Sequence, residues 1–351
     1  MERVVASLGR DDFLPLALRE QLPLTVDNLR RLSPATPFHS SVVCASPTGN
    51  TWTIWGLLHT GADWLAPTWG GRDHHRPLEL PQVHVIGPGR LSVYAGEALV
   101  GSLVSGMIEA TTTDVFTSNW LRDLFRNNRR RFLQPDDELS LADDTLVREI
   151  AQHMMRRALF LMRQAGNGGL ILFADPELFE RPDLGGLLKL KYDFSPGEAR
   201  ERYRRLMRRL VRALGAPGGD VPVNLERFLG METPEVLAVE KSFFEVSSLI
   251  AALADVDGAV VIDKRLELVG FGAEVSGELS YPDTVWQALD LEAERRAPDP
   301  ANSVGTRHRA AYRFVTAHPQ GLAIVVSHDG IVRFVANLEG EVVYFDQFLN
   351  W

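Results

Sequence analysis

The spacing of hydrophobic and polar positions changes twice along the first two thirds of the chain. Residues 1–34 predict helical turns interrupted by polar residues. From about 36 to 115, short runs rich in β-branched and aromatic residues alternate with Gly and Pro, which is typical of strands in a small mixed or antiparallel sheet. From about 118 to 215 the apolar spacing is helical, with one buried strand expected at 168–175.

The final third alternates between strand-like and helix-like segments. The pattern predicts a helix over 234–256 and a strand, a turn and a second strand over 255–275. The run APGGDVP at 216–222 is typical of a linker, so we expect two domains, 1–230 and 231–351. The predicted fold class is α/β: a C-terminal mixed-sheet α/β domain preceded by a separate α+β N-terminal region, first strand-rich and then helical.

Composition narrows the class of protein. The 351 residues are 45% hydrophobic and 24% charged, as expected for a globular protein rather than a disordered or fibrous one. A net charge of −9 makes nucleic acid an unlikely partner for the whole molecule, so a phosphate site requires a local basic cluster. The single cysteine, Cys44, forms no internal disulfide, and no apolar run is long enough for a signal peptide or membrane span. We therefore expect a cytoplasmic protein.

An acidic residue precedes the buried strand of the last third. Asp257 and Gly258 stand where the predicted helix leads into the run AVVID. A carboxylate at the edge of a sheet is a good position for holding a divalent metal ion. The alternative is that Asp-Gly simply forms a turn before the strand.

A basic cluster opens the next predicted helix. Gly305 and Thr306 precede a helical pattern, and Thr306 is expected to be its N-cap. Arg307, His308 and Arg309 then occupy the first turn, where the helix dipole favours anions rather than cations. A bound phosphate would neutralise both the side chains and the dipole. The alternative is a solvated basic turn.

The third element is a strand, a tight turn and a second strand over 321–335. Ser327, His328 and Asp329 lie at the end of the first strand. A hairpin turn is sufficient to explain Asp329 and Gly330, so the pattern at these two positions does not by itself require a function.

These three segments together resemble the diadenylate cyclase (DAC) domain family. The resemblance covers about residues 235–351, with DGA at 257–259, GTRHRAA at 305–311 and IVVS before an acidic turn, in that order. It implies catalytic roles for Asp257, Arg307 and His308, and metal binding by Asp257 and Asp329. The residues that it implies at the nucleotide are Gly258, Ala259, Gly305, Thr306, Arg307, His308, Arg309 and Ser327.

The resemblance also implies an activity and its requirements. Members of the family condense two ATP molecules into cyclic di-AMP and release two pyrophosphates, with Mg²⁺ or Mn²⁺ as cofactor. One chain carries one DGA and one RHR motif, so a two-nucleotide ring implies a homo-oligomer with face-to-face catalytic domains. Residues 1–230 are then expected to form a sensor or regulatory region. Within the catalytic domain, adenine is expected to pack against the strand at 269–275.

Two departures from the family pattern leave an alternative function open. The family commonly has Ser-Glu-Glu where this chain has Ser327, His328 and Asp329, and the segment from Val275 to Val304 is longer than in compact members. That segment is expected to be a lid or an interface element. The alternatives to a cyclase are a pseudo-cyclase that binds nucleotide without catalysis and an interaction protein that uses the fold only to dimerise.

The first two thirds contain no comparable chemical pattern. Four tryptophans between 52 and 69 would fill the core of a small sheet or, alternatively, line a ligand pocket. The neighbouring histidines lack the acidic or cysteine spacing of a metal site. The arginine-rich helix at 200–212 is expected to present a solvated face.

Overall fold

The computed structural model of the protein describes residues 14–36, 40–59, 81–87, 89–95, 98–104, 107–109, 114–133, 138–181, 184, 186–197, 200–215, 223–328 and 330–347. The chain forms two compact units that divide between Thr111 and Thr112. In the part of the chain that is described, no helix is both long and apolar enough to cross a membrane.

The first unit contains two small antiparallel sheets. One has the strand order β1-β3-β2 and the other β4-β5-β6-β7. The elements are β1 (Leu14–Pro23), α1 (Val26–Leu32), β2 (Ser41–Thr48), β3 (Thr51–His59), β4 (Pro81–Gly87), β5 (Arg90–Ala95), β6 (Ala98–Val104) and β7 (Met107–Glu109). The strands expected at 36–115 are therefore present.

The first strand corrects the helical turns predicted for residues 1–34. β1 pairs with β3, and helical structure in the described part of that segment is confined to α1 and the 3₁₀ turn at Ser33–Ala35 that follows it. Leu14, Leu16 and Leu18 recur at every second position, which is the period of a strand, and Pro15 and Pro23 disfavour a helix. Residues 1–13 lie outside the described range.

The second unit combines a large mixed sheet with six helices among its described residues. The helices are α2 (Asn119–Leu133), α3 (Asp144–Ala165), α4 (Arg202–Leu214), α5 (Leu225–Gly230), α6 (Pro234–Ala254) and α7 (Thr306–Ala317). The strands are β8 (Gly169–Ala174), β9 (Leu188–Lys189), β10 (Tyr192–Asp193), β11 (Ala259–Asp263), β12 (Leu268–Val275), β13 (Thr284–Ala288), β14 (Arg296–Pro300), β15 (Leu322–Val326), β16 (Val332–Leu338) and β17 (Glu341–Gln347).

The strand order of the large sheet changes the expected domain boundary. The order is β10-β12-β11-β8-β15-β16-β17-β13-β14, with β9 also paired to β12. β8 runs parallel to β11 and antiparallel to β15, so it lies in the centre of the sheet. A boundary between residues 230 and 231 would remove this central strand, and the division lies at Thr111 and Thr112 instead.

Helices cover both faces of the large sheet. On one face, Tyr312 and Phe314 of α7 belong to the same buried cluster as Leu172, Val261 and Val325. On the other face, aromatic side chains from α2 and the turn before it pack edge-on against Phe173 of β8 and Phe334 of β16. This mixed α/β architecture, preceded by small N-terminal sheets, confirms the predicted fold class.

Capping residues explain where α3 begins and ends. The Asp143 side chain accepts a hydrogen bond from the Leu146 backbone N–H at 2.6 Å, as an N-cap does. At the other end Gly166 adopts the left-handed conformation, with φ of +74°, which suits the residue after a helix. Asp143 therefore fixes the start of α3, and Gly166 fixes its end shortly before β8.

Arg333 fixes α7 against the sheet. The Arg333 guanidinium on β16 bonds both carboxylate oxygens of Asp346 on β17, at 2.7 and 2.9 Å. It also donates to the hydroxyl of Tyr312 on α7, at 3.1 Å. A largely buried arginine with these partners couples two strands to the helix that carries the predicted basic cluster.

The segment between Val275 and Val304 is neither a free lid nor a separate element. Its strands β13 and β14 form an antiparallel hairpin, and β13 pairs in parallel with β17. Pro298 and Pro300 lie on β14, at the end of the strand order, where the missing N–H groups break no internal ladder. The segment therefore extends the sheet at the edge away from β11.

Candidate functional site

Two of the predicted functional segments, those of Asp257 and Ser327, meet at one end of the sheet beside the start of β8. β11 and β8 run parallel with Val260 opposite Ile171, so Asp257 and Gly168 precede neighbouring strand starts. β15 runs antiparallel to β8 with Val326 opposite Gly169, so Ser327 follows the strand at the same end. Adjacent strands lie about 4.8 Å apart. The sheet therefore places all three residues along one short edge, which we call the 257 edge.

The loop between α3 and β8 connects the motifs at this edge. In this 166–168 loop, the backbone carbonyl of Asn167 accepts a hydrogen bond from Arg307 Nη1 at 3.1 Å. The Asn167 side chain donates to Asp255 Oδ1 at 2.7 Å, two residues before Asp257. His328 Nδ1 donates to the Gly166 carbonyl at 2.9 Å. One three-residue loop thus touches the segments that carry the DGA, RHR and Ser-His-Asp motifs.

The basic cluster lies in the first turn of α7, as predicted, but its cap differs. Gly305 is the N-cap and Thr306 is the first helical residue, which corrects the expected cap at Thr306. A glycine cap offers no side chain, and none caps the turn. Arg309 bonds back to the Val304 carbonyl at 3.0 Å and to Thr306 Oγ1 at 3.4 Å.

Charge at this helix entrance is positive. Arg307, His308 and Arg309 are half-buried, and no acidic residue occupies the first turn of α7. The free backbone N–H groups and the helix dipole add to the positive potential of the side chains. A phosphate group is the ligand that best satisfies such a turn.

Backbone packing fixes the turn that carries Asp257. Gly258 has φ of +104°, and a Cβ added there would lie 2.5 Å from the backbone of Gly272 on β12. Only glycine fits this close approach. Ala259 begins β11 with a fully buried side chain that belongs to the core, so any contact with a nucleotide is through its backbone.

The Asp257 carboxylate is exposed and available to a ligand. Within the described ranges it makes no ion pair or hydrogen bond through its side chain. The described residues also contain no group of three metal-binding side chains. A Mg²⁺ ion is commonly held by one or two carboxylates together with substrate phosphates, so a single carboxylate beside a phosphate site fits that mode of binding.

Of the predicted residues Ser327 and Asp329, the structure describes only the first. The Ser327 hydroxyl donates to the Ile331 carbonyl and accepts from the Ile331 N–H, both at 3.1 Å. These bonds close the hairpin between β15 and β16, which gives Ser327 a structural role at the 257 edge. Asp329, the second residue predicted to hold the metal, lies outside the described residues.

The sequence patterns did not identify the 166–168 loop. They gave no functional role to Asn167, Gly168 or Asp255. The signal available was the run GNGG directly before a buried strand, which is typical of a backbone that approaches other groups closely. The partners of that backbone are distant in sequence, so only the fold reveals them.

The two glycines of this loop allow a controlled test of its packing. Both have positive φ, but a Cβ at Gly168 would lie 2.8 Å from both Arg307 Nη1 and the Val326 carbonyl, whereas at Gly166 it would meet no atom within 4 Å. We expect Gly168→Ala to lower the free energy of unfolding by about 3 kcal/mol and Gly166→Ala by about 1 kcal/mol. Denaturant unfolding measures both. Equal losses would show that Gly168 does not pack closely against Val326.

Comparison with known proteins identifies part of the first unit. Residues 3–59 match a family model described as the probable sensor domain DACNV. The search of curated proteins gives no match to the chain. Residues 3–59 are therefore similar to a probable sensor domain, which supports the expected sensor region at the N-terminal end of residues 1–230.

Proposed function

We propose that this protein is a diadenylate cyclase, a nucleotidyltransferase that condenses two ATP molecules into cyclic di-AMP under the control of its N-terminal region. The observation that supports the proposal most strongly is the joint placement of Asp257 and Arg307 at the 257 edge, where the 166–168 loop links their segments. The match to DACNV adds support, because that probable sensor domain is associated with DAC proteins.

The side chains of α7 supply charge neutralisation. In this proposal Arg307, with His308 and Arg309 in the first turn of α7, holds the triphosphate and offsets the charge that develops on the departing pyrophosphate. Asp257 is the residue that would hold Mg²⁺ or Mn²⁺. When bound, that cation supplies positive charge to the phosphates.

The reaction consists of two equivalent substitutions at phosphorus. In each, a ribose 3′-oxygen forms a bond to the α-phosphorus of the other nucleotide, the bond from that phosphorus to the β-phosphate oxygen breaks, and pyrophosphate leaves. In this step the proton of the 3′-hydroxyl would pass to the Asp257 carboxylate, directly or through a water molecule. Phosphoryl transfer of this kind depends mainly on alignment and electrostatic stabilisation, which the positive helix entrance is suited to provide.

A second copy of the chain completes the proposed site. The two nucleotides of the ring need two triphosphate sites that face one another, and each chain has one DGA and one RHR segment. A two-fold homodimer with facing 257 edges satisfies this requirement. Each copy then presents the nucleotide whose 3′-hydroxyl attacks the nucleotide held by its partner.

Product analysis tests the proposed function. We expect the purified full chain, incubated with ATP and Mn²⁺ or Mg²⁺, to form cyclic di-AMP and two pyrophosphates per ring, measured by chromatography and mass spectrometry. Stabilisation by ATP without product would identify a nucleotide-binding pseudo-cyclase instead. If ATP gives neither stabilisation nor product, the remaining function is that of a dimerisation platform.

A further inference from the structure

An exposed aromatic stack borders the 257 edge. Tyr192 on β10 lies opposite Phe271 on β12, with ring centroids 4.6 Å apart and planes inclined by 22°. Phe194 stacks on the same Phe271 ring at 5.6 Å and 28°. Tyr192 is 44% exposed even though its ring stacks on Phe271.

Glycines connect this stack to the turn that carries Asp257. A Cβ added at Gly272 would lie 3.3 Å from Tyr192 Cδ2 and 3.5 Å from the backbone carbonyl of Asp257. A Cβ at Gly258 would in turn collide with Gly272. Between the Tyr192 ring and Asp257 the surface is formed by this glycine backbone, and Lys191 Cβ borders it at 3.3 Å from the Cβ added at Gly272. The absence of a side chain at Gly272 and Gly258 leaves room for a flat group beside the carboxylate.

The ammonium group of Lys191 lies over the Tyr192 ring. Lys191 Nζ lies 5.4 Å from the Tyr192 ring centroid, in the range of a cation–π contact. Lys191 is exposed, and its flexible side chain can move aside when a base arrives. The ring thus has the electronic and steric properties of a platform for a planar ligand.

We propose that Tyr192 is the stacking platform for the adenine base of the bound ATP, with Phe271 and Phe194 holding its ring in place. The inference rests on the proposed function and adds a specificity residue outside the DGA and RHR segments. A nucleotide whose triphosphate lies at α7 places its base elsewhere along the same edge. Two strands, β12 and β11, lie between β10 and β8, so three inter-strand spacings, about 14 Å in all, separate the tyrosine from the 166–168 loop.

The test compares ATP with a ligand that has the phosphates but no base. Affinities of the full chain for 3′-deoxyATP and for inorganic tripolyphosphate are measured by calorimetry in the presence of Mn²⁺. We expect Tyr192→Ala to weaken 3′-deoxyATP about tenfold and to leave tripolyphosphate unchanged, because stacking acts on the base alone. Tyr192→Phe keeps the ring and is expected to bind both ligands as the native chain does.

Trp52→Ala is the matched control, since Trp52 is an aromatic residue of the first unit and is 54% exposed. Unchanged 3′-deoxyATP affinity in Tyr192→Ala would overturn the inference, and so would an equal loss for both ligands, which would indicate a structural role. These outcomes are separate from those of the product assay. Cyclic di-AMP formation with an unaffected Tyr192→Ala variant refutes only the stacking, whereas a base-specific loss without any product refutes only the cyclase.

Discussion

Asp257→Asn is expected to lower the rate of cyclic di-AMP formation about 100-fold or more while ATP affinity changes little. The substitution keeps the size of the side chain and removes its negative charge. Asp257 is exposed and makes no side-chain bond among the described residues, so the fold does not depend on its charge. In the proposed site the triphosphate is held mainly by α7, which the substitution leaves intact.

Rates come from chromatography of the product, and ATP affinity from calorimetry on the same preparations. Asp283→Asn is the matched control, because Asp283 is an exposed carboxylate next to β13, several strands from the 257 edge. It should retain the native rate. Full activity of Asp257→Asn would remove the proposed cation-binding role from this residue.

Arg307→Ala is expected to weaken ATP binding about tenfold and to reduce turnover about 100-fold, so that binding and rate decline together. Among the described residues, Arg307 bonds only to the backbone carbonyl of the exposed Asn167, so its loss leaves none of their buried groups without a partner. In the proposed reaction the lost guanidinium would act on the bound triphosphate and more strongly on the departing pyrophosphate.

Steady-state kinetics with ATP, combined with calorimetry, separates the two effects. Arg307→Lys keeps the charge without the planar fork and should fall between the native chain and the alanine variant. Arg295→Ala provides the control, since Arg295 is a largely exposed arginine in the hairpin of β13 and β14. A turnover in Arg307→Ala equal to that of the control would contradict the proposed contact with phosphate.

Local patterns predicted the elements that carry the motifs. The helix expected at 234–256 is α6, and the buried strands expected after it and at 168–175 are β11 and β8. Each has a strong period or a continuous apolar run, so the local signal and the final packing agree. The placement of the three basic residues in the first turn of α7 is also as predicted.

The parts that sequence did not predict depend on long-range pairing. β8 joins strands that follow it by about ninety and one hundred and fifty residues, and no local pattern encodes this choice, so the boundary at 230 was wrong. β14 contains two prolines and was not recognised as a strand, because its edge position is a tertiary property. The 166–168 loop was missed for the same reason.

The most direct test of the account is a crystal structure of the full chain with 3′-deoxyATP and Mn²⁺, a complex that cannot react because the nucleophilic hydroxyl is missing. We predict a triphosphate within hydrogen-bonding distance of the Arg307 guanidinium and a cation shared between that triphosphate and the Asp257 carboxylate. A nucleotide bound away from both residues would contradict the account.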